Sequence, residues 1–420
     1  MNIALICLDT RGGVQPYIAL GTGLQRHGHY VRIVAQENYR AMVHGYGLDF
    51  HAIPGNIENI LDRKENRGAT EKGFLSAHLL IIRVFKQTIT DWMREAVTGC
   101  QGCDLIIGGV GGMYIGYSIA EKMRIPFLQA HLQPVTATTA FPGIIMPWLW
   151  RMNCGCINRL SHYAVQQLFW QPFRMAVNHA RRTVLNLPPA SVWGRIGHVD
   201  KEKLMLYGFS RHILPKPQDW PQQVHITGYW FMDTADSWIP SPELENFLRN
   251  GPPPVLVGFG SMTSDNREEF TDTIVSALKQ AGVRGILVSG WGGLCQNNLS
   301  SDIFAVESLP YDRIFPRMAA VIHHGGAGTT AQALRCGIPS IIVPFTAEQP
   351  FWGETVWRLG AGPKPIPRSR LTSERLATAI TGTIDNAAMK SVNHAIAEKI
   401  SRENGVECAI EHISSAYDAK

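Results

Sequence analysis

The chain has 420 residues, 45% of them hydrophobic and 17% charged, with a formal net charge of +5. That length exceeds one average domain, and the balance excludes a disordered or fibrous chain. So small a charge, with no run of lysine and arginine, gives no case for nucleic acid as a partner.

The first apolar run, Ile3–Leu8, lacks a basic start and a small-residue cleavage site, and Asp9 and Arg11 follow at once. It reads as a buried β-strand and not as a secretory signal. Tyr17–His27 predicts a helix, Tyr30–Ala35 a strand, and Leu105–Gly108 and Ile125–Gln129 later strands. Strand and helix in alternation imply a parallel sheet. After the proline-rich stretch Trp238–Pro254 the pattern begins again, with strands expected at Val255–Gly258, Gly285–Ser289, Ala319–His323 and Ser340–Val343. From Met389 to Ala419 apolar and charged residues alternate at helical spacing. The expected division is an N-terminal α/β domain over 1–237, a linker over 238–254, a second α/β domain over 255–388, and a helical segment over 389–420 that packs back on the first domain.

No apolar stretch approaches the eighteen or so residues needed to cross a bilayer. Eight cysteines in a chain this long do not make a disulfide framework, so a reducing cytoplasm is the expected location. Cys100-x-x-Cys103 and Cys154-x-Cys156 lack the histidine or second-pair spacing of a zinc site, and free thiols are expected.

Between Lys122 and Val199 there is no acid, whereas Lys122, Arg124, Arg151, Arg159, Arg174, Arg181, Arg182 and Arg195 fall within it. Phe141–Arg151 reads as a mobile apolar loop, and a helical segment through Phe169, Trp170 and Phe173 follows. Phe141, Ile144, Met146, Trp148 and Trp150 are candidates to line a greasy binding site, the alternative being that these aromatics are core. Cationic residues beside tryptophan also suit peripheral contact with an anionic membrane surface.

The densest motif is His323-His324-Gly325-Gly326-Ala327-Gly328-Thr329-Thr330, directly after an apolar run. That order places a glycine-rich elbow between strand and helix, where free backbone N–H groups and the positive end of the helix dipole favour an anion. His324 and Thr329 are placed to add hydrogen bonds to it.

With Gly258-Phe259-Gly260-Ser261-Met262, Leu309-Pro310-Tyr311-Asp312-Arg313, and Val343-Pro344-Phe345-Thr346-Ala347-Glu348-Gln349-Pro350-Phe351-Trp352-Gly353, this elbow resembles the two-Rossmann (GT-B) glycosyltransferases that use nucleotide sugars. Thr10-Arg11-Gly12-Gly13-Val14-Gln15-Pro16-Tyr17 and Gln349-Pro350-Phe351-Trp352 are most similar to the sterol 3β-glucosyltransferases of that superfamily. The resemblance implies two doubly wound Rossmann-like domains facing a cleft, an acceptor-binding one first and a nucleotide-sugar-binding one second. By the same resemblance, His324, Thr329 and Ser261 contact the diphosphate, with Gly326 and Gly328 giving it room. Trp291 with Leu309 and Pro310 bracket the uracil, Glu348 and Gln349 hold sugar hydroxyls, and Thr10, Arg11 and Gly12 touch the donor. Glutamate stands at 348 where the family commonly has aspartate, which bears on which hexose fits.

Inverting transfer needs a base for the acceptor hydroxyl, a contribution of about 10²–10⁴-fold. In related families an aspartate or histidine supplies it at the position occupied here by Gly13, which carries no base. Asp9 is the first candidate in its place and His131 the second; a third outcome is a chain that binds nucleotide sugar without transferring it. No Asp-x-Asp triplet occurs, so no metal or other cofactor is expected. The function that follows is transfer of glucose from UDP-glucose to a sterol or similar hydrophobic alcohol. The alternatives are a terpenoid, flavonoid or macrolide acceptor, a nucleotide-sugar epimerase, or a non-catalytic sensor.

Overall fold

Two parallel β-sheets organise the chain. A computed structural model describes residues 1–55, 74–194, 203–234, 238–260, 262, 266–290, 294 and 299–417. The first sheet holds β1 (Asn2–Cys7), β2 (Tyr30–Gln36), β3 (Asp49–Ile53), β4 (Leu105–Gly108), β5 (Phe127–His131), β6 (Met205–Tyr207) and β7 (Val224–Ile226), in the order 3-2-1-4-5-6-7. The second holds β8 (Val255–Gly258), β9 (Gly285–Val288), β10 (Ile303–Val306), β11 (Ala320–His323) and β12 (Ser340–Ile342), in the order 10-9-8-11-12. Neighbouring strands pair in parallel throughout: Ile3 lies opposite Val31 and Leu105, and Val255 opposite Ala320 and Gly285. The central strands read as unbroken apolar runs because helices cover both faces, as in doubly wound sheets.

The helices in chain order are α1 (Arg11–Arg26), α2 (Arg40–Gly45), α3 (Phe74–Gly99), α4 (Met113–Met123), α5 (Gly155–Leu185), α6 (Pro242–Arg249), α7 (Arg267–Gln280), α8 (Tyr311–Ile314), α9 (Ala327–Arg335), α10 (Gln349–Arg358), α11 (Ser373–Ile384), α12 (Ala387–Ser401) and α13 (Gly405–Tyr417). No helix among the described residues is long and apolar enough to cross a membrane.

Two compact Rossmann-like units result. The first carries the N-terminal sheet through Met232, apart from the start of α3, together with the segment from Glu403 onward; the second covers Asp233–Arg402 and, among the described residues, 74–77. In the first unit α13 lies against α1, and Ala409, Ile410 and Ile413 join a core with Leu20, Leu24 and Ile18. Burying the two isoleucines contributes roughly 3–6 kcal/mol at about 1.5–3 kcal/mol per side chain. Gly23 makes the close approach possible: a Cβ there would meet Val406 Cγ1 at 2.3 Å. At the rim Glu407 pairs with His27 and Arg26 at 3.2 and 3.5 Å.

Several expected elements shift. Helix α1 begins at Arg11 and not at Tyr17, so Gly12 and Gly13 lie in its first turn and Pro16 inside it. Strand β5 runs two residues later than Ile125–Gln129, which makes His131 its last residue. Phe141–Arg151 belongs mostly to the core of the first unit. Phe141 is 3% exposed, with Trp220, His162 and Trp150 rings 5.7–6.4 Å away, and Ile144 is 8% exposed. Met146 and Trp150 are half-buried, and Trp148, in a 3-10 turn over Pro147–Met152, is exposed. Helix α5 is long, and its Trp170 and Phe173 point inward to Tyr114 and Phe85.

Candidate active site

Ligands of wound parallel sheets bind beyond the C-terminal strand ends, where the strand order reverses direction. The first sheet reverses between β1 and β4, the second between β8 and β11. Each unit therefore has one such crevice, and the chemistry-bearing motifs fall on both.

In the second unit, β11 ends at His323 and the chain turns through Gly325, whose φ of +91° only glycine adopts freely. Helix α9 then starts with Gly326 as its N-cap and no side-chain cap. Elsewhere in this unit α6, α7, α11 and α12 are capped by the side chains of Ser241, Asn266, Thr372 and Asn386, while α8 and α10, like α9, have no side-chain cap. The first turn of α9, with Gly328 exposed and Thr329 half-buried, keeps its N–H groups available to an anion. His324 stands beside it. Its Nδ1 is buried without a partner among the described residues, and burial holds the imidazole down at about 4 although part of the ring meets solvent. It is a neutral donor at pH 7, so it offers one N–H and not a full charge. Its neighbour His323 is held at about 3 and accepts the Gly325 N–H through Nδ1 at 3.1 Å.

Gly326 also makes way for a neighbouring side chain. A Cβ there would come 2.4 Å from His324 Nε2, so the missing side chain makes room for the imidazole. The loop after β8 approaches the same ring: Gly260, at φ +60°, would carry a Cβ 3.3 Å from His324 Cε1. Gly290, after β9, would place one 2.8 Å from the Gly260 carbonyl. The ends of β8 and β11 thus meet at His324, and the end of β9 lies against Gly260. Ser261 and Trp291 lie outside the described residues. Leu309 and Pro310 are half-buried; Leu309 packs on the Leu244–Ile286 cluster and Pro310 caps α8.

Gln349 opens α10 at 4% exposure, but its Oε1 accepts the N–H groups of Phe345 and Thr346 at 2.8 and 3.1 Å, and its Nε2 faces Met262 Sδ at 3.4 Å. The amide braces the loop that presents half-buried Glu348. In that loop Ala347 has φ +56°, a strained state for a residue with a Cβ.

In the first unit a cavity opens between the ends of β1 and β4. Asp9, Gly13, Tyr17, Gly109–Gly112, Leu132 and Gln133 line it. Thr10 caps α1 by backbone alone, and its N–H and hydroxyl donate to Asp9 Oδ1 at 2.6 and 3.4 Å. The other carboxylate oxygen reaches over the helix start. A Cβ on Gly13 would fall 2.3 Å from Asp9 Cγ and 2.4 Å from Oδ2, so the Asp9 carboxylate occupies the volume a residue-13 side chain would claim. Asp9 makes no ion pair with Arg11 among the described residues, and Arg11 and Gly12 are exposed. Asp9 is itself exposed, while the protein packed around it partly desolvates the carboxylate and raises its pKa.

His131 is placed otherwise. It is fully buried, lies outside the cavity lining, and has Nε2 3.1 Å from Gln129 Oε1 and its ring 5.9 Å from Tyr207. Burial pushes its pKa down to about 3. Sequence reasoning missed Tyr17, whose hydroxyl donates to the Ala130 carbonyl at the cavity wall, and the Gly109–Gly112 loop. The signal for the loop was Gly109-Val110-Gly111-Gly112 directly after β4. A Cβ on Gly111 would strike the Leu8 carbonyl at 2.3 Å, so only glycine lets this wall approach β1.

Known proteins are similar to this sequence. The glycosyltransferase family 28 N-terminal domain matches residues 3–142, and the erythromycin biosynthesis protein CIII-like C-terminal domain matches residues 294–412. O-mycaminosyltylonolide 6-deoxyallosyltransferase of Streptomyces fradiae is 36% identical over 97% of this chain and 96% of its own. Sterol 3-beta-glucosyltransferase of Cryptococcus neoformans is 35% identical over 98% of this chain, which spans only 27% of that protein's length. The crystal structure of the kitacinnamycin glycotransferase superposes with a TM-score of 0.70 at 17% identity, covering 99% of both chains. Its fold is the one seen here, and the chain belongs to the glycosyltransferases of the GT-B fold.

Proposed function

We propose that the protein is an inverting glycosyltransferase that moves glucose from UDP-glucose to the hydroxyl of a sterol or similar hydrophobic alcohol. The observation that carries the reading is the glycine-built start of α9, free of any side-chain cap, with the Nδ1 of His324 beside it, buried and unpartnered among the described residues. This site takes the diphosphate. Thr329 adds its hydroxyl, Gly328 leaves the approach open, and Glu348 offers a carboxylate to the hexose hydroxyls, while Gln349 acts mainly as the brace of that loop. In this reading the first unit supplies the acceptor side.

In the reaction the acceptor oxygen attacks the anomeric carbon from the face opposite the diphosphate. The bond from that carbon to the diphosphate oxygen breaks, and its electron pair leaves on UDP. The acceptor proton passes to Asp9 Oδ2. The raised pKa of Asp9 makes it a stronger base than an ordinary carboxylate, and the dipole and N–H groups of α9 stabilise the charge growing on UDP. No metal has a part in this reading, in keeping with the lack of any Asp-x-Asp triplet. Support for the sterol comes from the sterol glucosyltransferases that align along nearly all of this chain. A sterol resides in bilayers, so the reading includes peripheral contact with a membrane.

A second reading has its own support: a macrolide-like acceptor, from the Streptomyces relative that matches end to end. UDP release from UDP-glucose, measured with sterols, terpenoids, flavonoids and macrolide aglycones, separates the two. Release that depends on sterol is the expected result. Binding of UDP-glucose without release on any alcohol would leave a binding protein, and interconversion of the sugar without an alcohol would leave an epimerase.

A further inference from the structure

The outer stripe of α5 is greasy where an exposed helix face is ordinarily polar. Leu160, Tyr163 and Met175 are 67%, 51% and 77% exposed on a helix whose Trp170, Phe173 and Val177 are buried. Their spacing puts them on one side of the helix, over roughly 22 Å at 1.5 Å per residue. Beside them Gln167 Nε2 holds the Trp193 carbonyl and Gln171 Nε2 the Val192 carbonyl, both at 2.8 Å. These two bonds strap Val192 and Trp193, 53% and 77% exposed, along the same side. Trp148 and Met152, 59% and 56% exposed, extend the patch before the helix begins. Scattered exposed apolar residues are ordinary, but a contiguous set of this size marks an interaction surface.

Charge identifies the occupant. The described chain from Lys122 to Gly194 holds no acid, and Arg151 and Arg182 are exposed along the patch. Asp219, which meets the start of α5 through Arg159 at 2.8 Å, is also held by Thr138 and Thr139. We infer that this face docks on an anionic bilayer surface, with Leu160, Tyr163, Met175 and Trp193 entering the interface and Arg151 and Arg182 meeting lipid phosphates. An amphipathic helix with tryptophan on its apolar side and a cationic flank binds lipid in this way. The inference names the face that makes the membrane contact of the proposed function. Vesicle binding needs neither donor nor acceptor, so its failure and a failure of transfer are read separately.

The test is sedimentation of the full chain with phosphatidylcholine vesicles, with and without phosphatidylserine, at low and high salt. Binding to the anionic vesicles that weakens in salt is expected. Arg151→Gln with Arg182→Gln lowers it by roughly fivefold per side chain. Met175→Gln with Trp193→Ser lowers it about tenfold or more. Both pairs are exposed, so melting temperatures should hold, and Ile239→Ser, an 80% exposed apolar site in the other unit, should leave binding unchanged. No binding to anionic vesicles, or equal binding by the variants, overturns the inference. So does a dimer in solution that Met175→Gln with Trp193→Ser converts to monomer, which would make the face a contact between copies of this chain.

Discussion

Gly13→Ala adds one methyl group at the most informative spot in the first unit. The three atoms nearest that methyl all belong to Asp9, at 2.3, 2.4 and 2.6 Å. Ordinary carbon contacts begin near 3.4 Å, so the carboxylate must withdraw by about 1 Å. The neighbours that yield belong to one side chain at a solvent-accessible place, so the cost to folding is only that of an off-rotamer aspartate, about 0.5–1.5 kcal/mol. The cost to catalysis is larger, because a displacement of about 1 Å in a reacting group can lower the rate about 10²-fold. Alcohol-dependent UDP release is the assay, with donor affinity and melting temperature measured alongside. A fall of about 10²-fold in turnover with donor binding retained is expected, and Asp9→Asn should fall by about 10²–10⁴-fold. The exchange Asp9→Gly with Gly13→Asp returns a carboxylate to the same volume and should recover much of the activity lost in Asp9→Gly. A Gly13→Ala enzyme that is folded and fully active would refute the assignment of Asp9.

At Gly326→Ala the new methyl meets His324 Nε2 at 2.4 Å, so the imidazole swings away from the start of α9. Affinity for UDP-glucose by calorimetry should drop about tenfold, the value of one strong hydrogen bond, and unchanged affinity would dissociate His324 from the donor. Buried His131 and His323, held near 3, stay neutral in the folded protein while the unfolded chain takes up protons below its ordinary value of about 6.5. The stability they contribute is whole above that value and is lost as pH falls toward 3, so each withdraws roughly 3 kcal/mol by about pH 4.5; a urea midpoint equal at pH 7 and pH 4.5 would contradict this. Arg181, 2% exposed, donates to Pro188 O, Ser118 Oγ and Glu121 at 3.0–3.1 Å and ties α5 to α4. Arg181→Ala should cost about 2–4 kcal/mol, seen as a lower melting temperature, with donor affinity unaltered.

The strands that the sequence announced are those buried on both faces. Leu105–Gly108 and Val255–Gly258 are apolar throughout, and their observed limits are the expected ones. Strands β3, β6, β7 and β10 escaped notice because their runs are short or carry Asp49, His51 and His225, and their register comes from a neighbour and not from their own pattern. The early start of α1 was hidden by Gly12, Gly13 and Pro16, three residues that ordinarily interrupt a helix and that here form its first turns beneath the cavity. Position 324 and the elbow were readable because backbone geometry follows from glycine spacing. The use of Gly326 to seat an imidazole, and of Gly13 to admit a carboxylate, depends on side chains arriving from two and four residues away, a matter of three-dimensional packing that spacing does not encode.

The return of Gly405–Tyr417 to the first unit has a consequence for synthesis. Domains commonly fold as they leave the ribosome, N-terminal part first. Here Leu20, Leu24 and their neighbours on α1 wait for Ile410 and Ile413, which are translated only after the whole of Asp233–Arg402. A nascent chain therefore carries an uncovered apolar flank for most of its elongation. The first half of this protein is the last to be finished, and a ribosome stalled anywhere within the second unit would release a chain whose opening domain still lacks its lid of isoleucines.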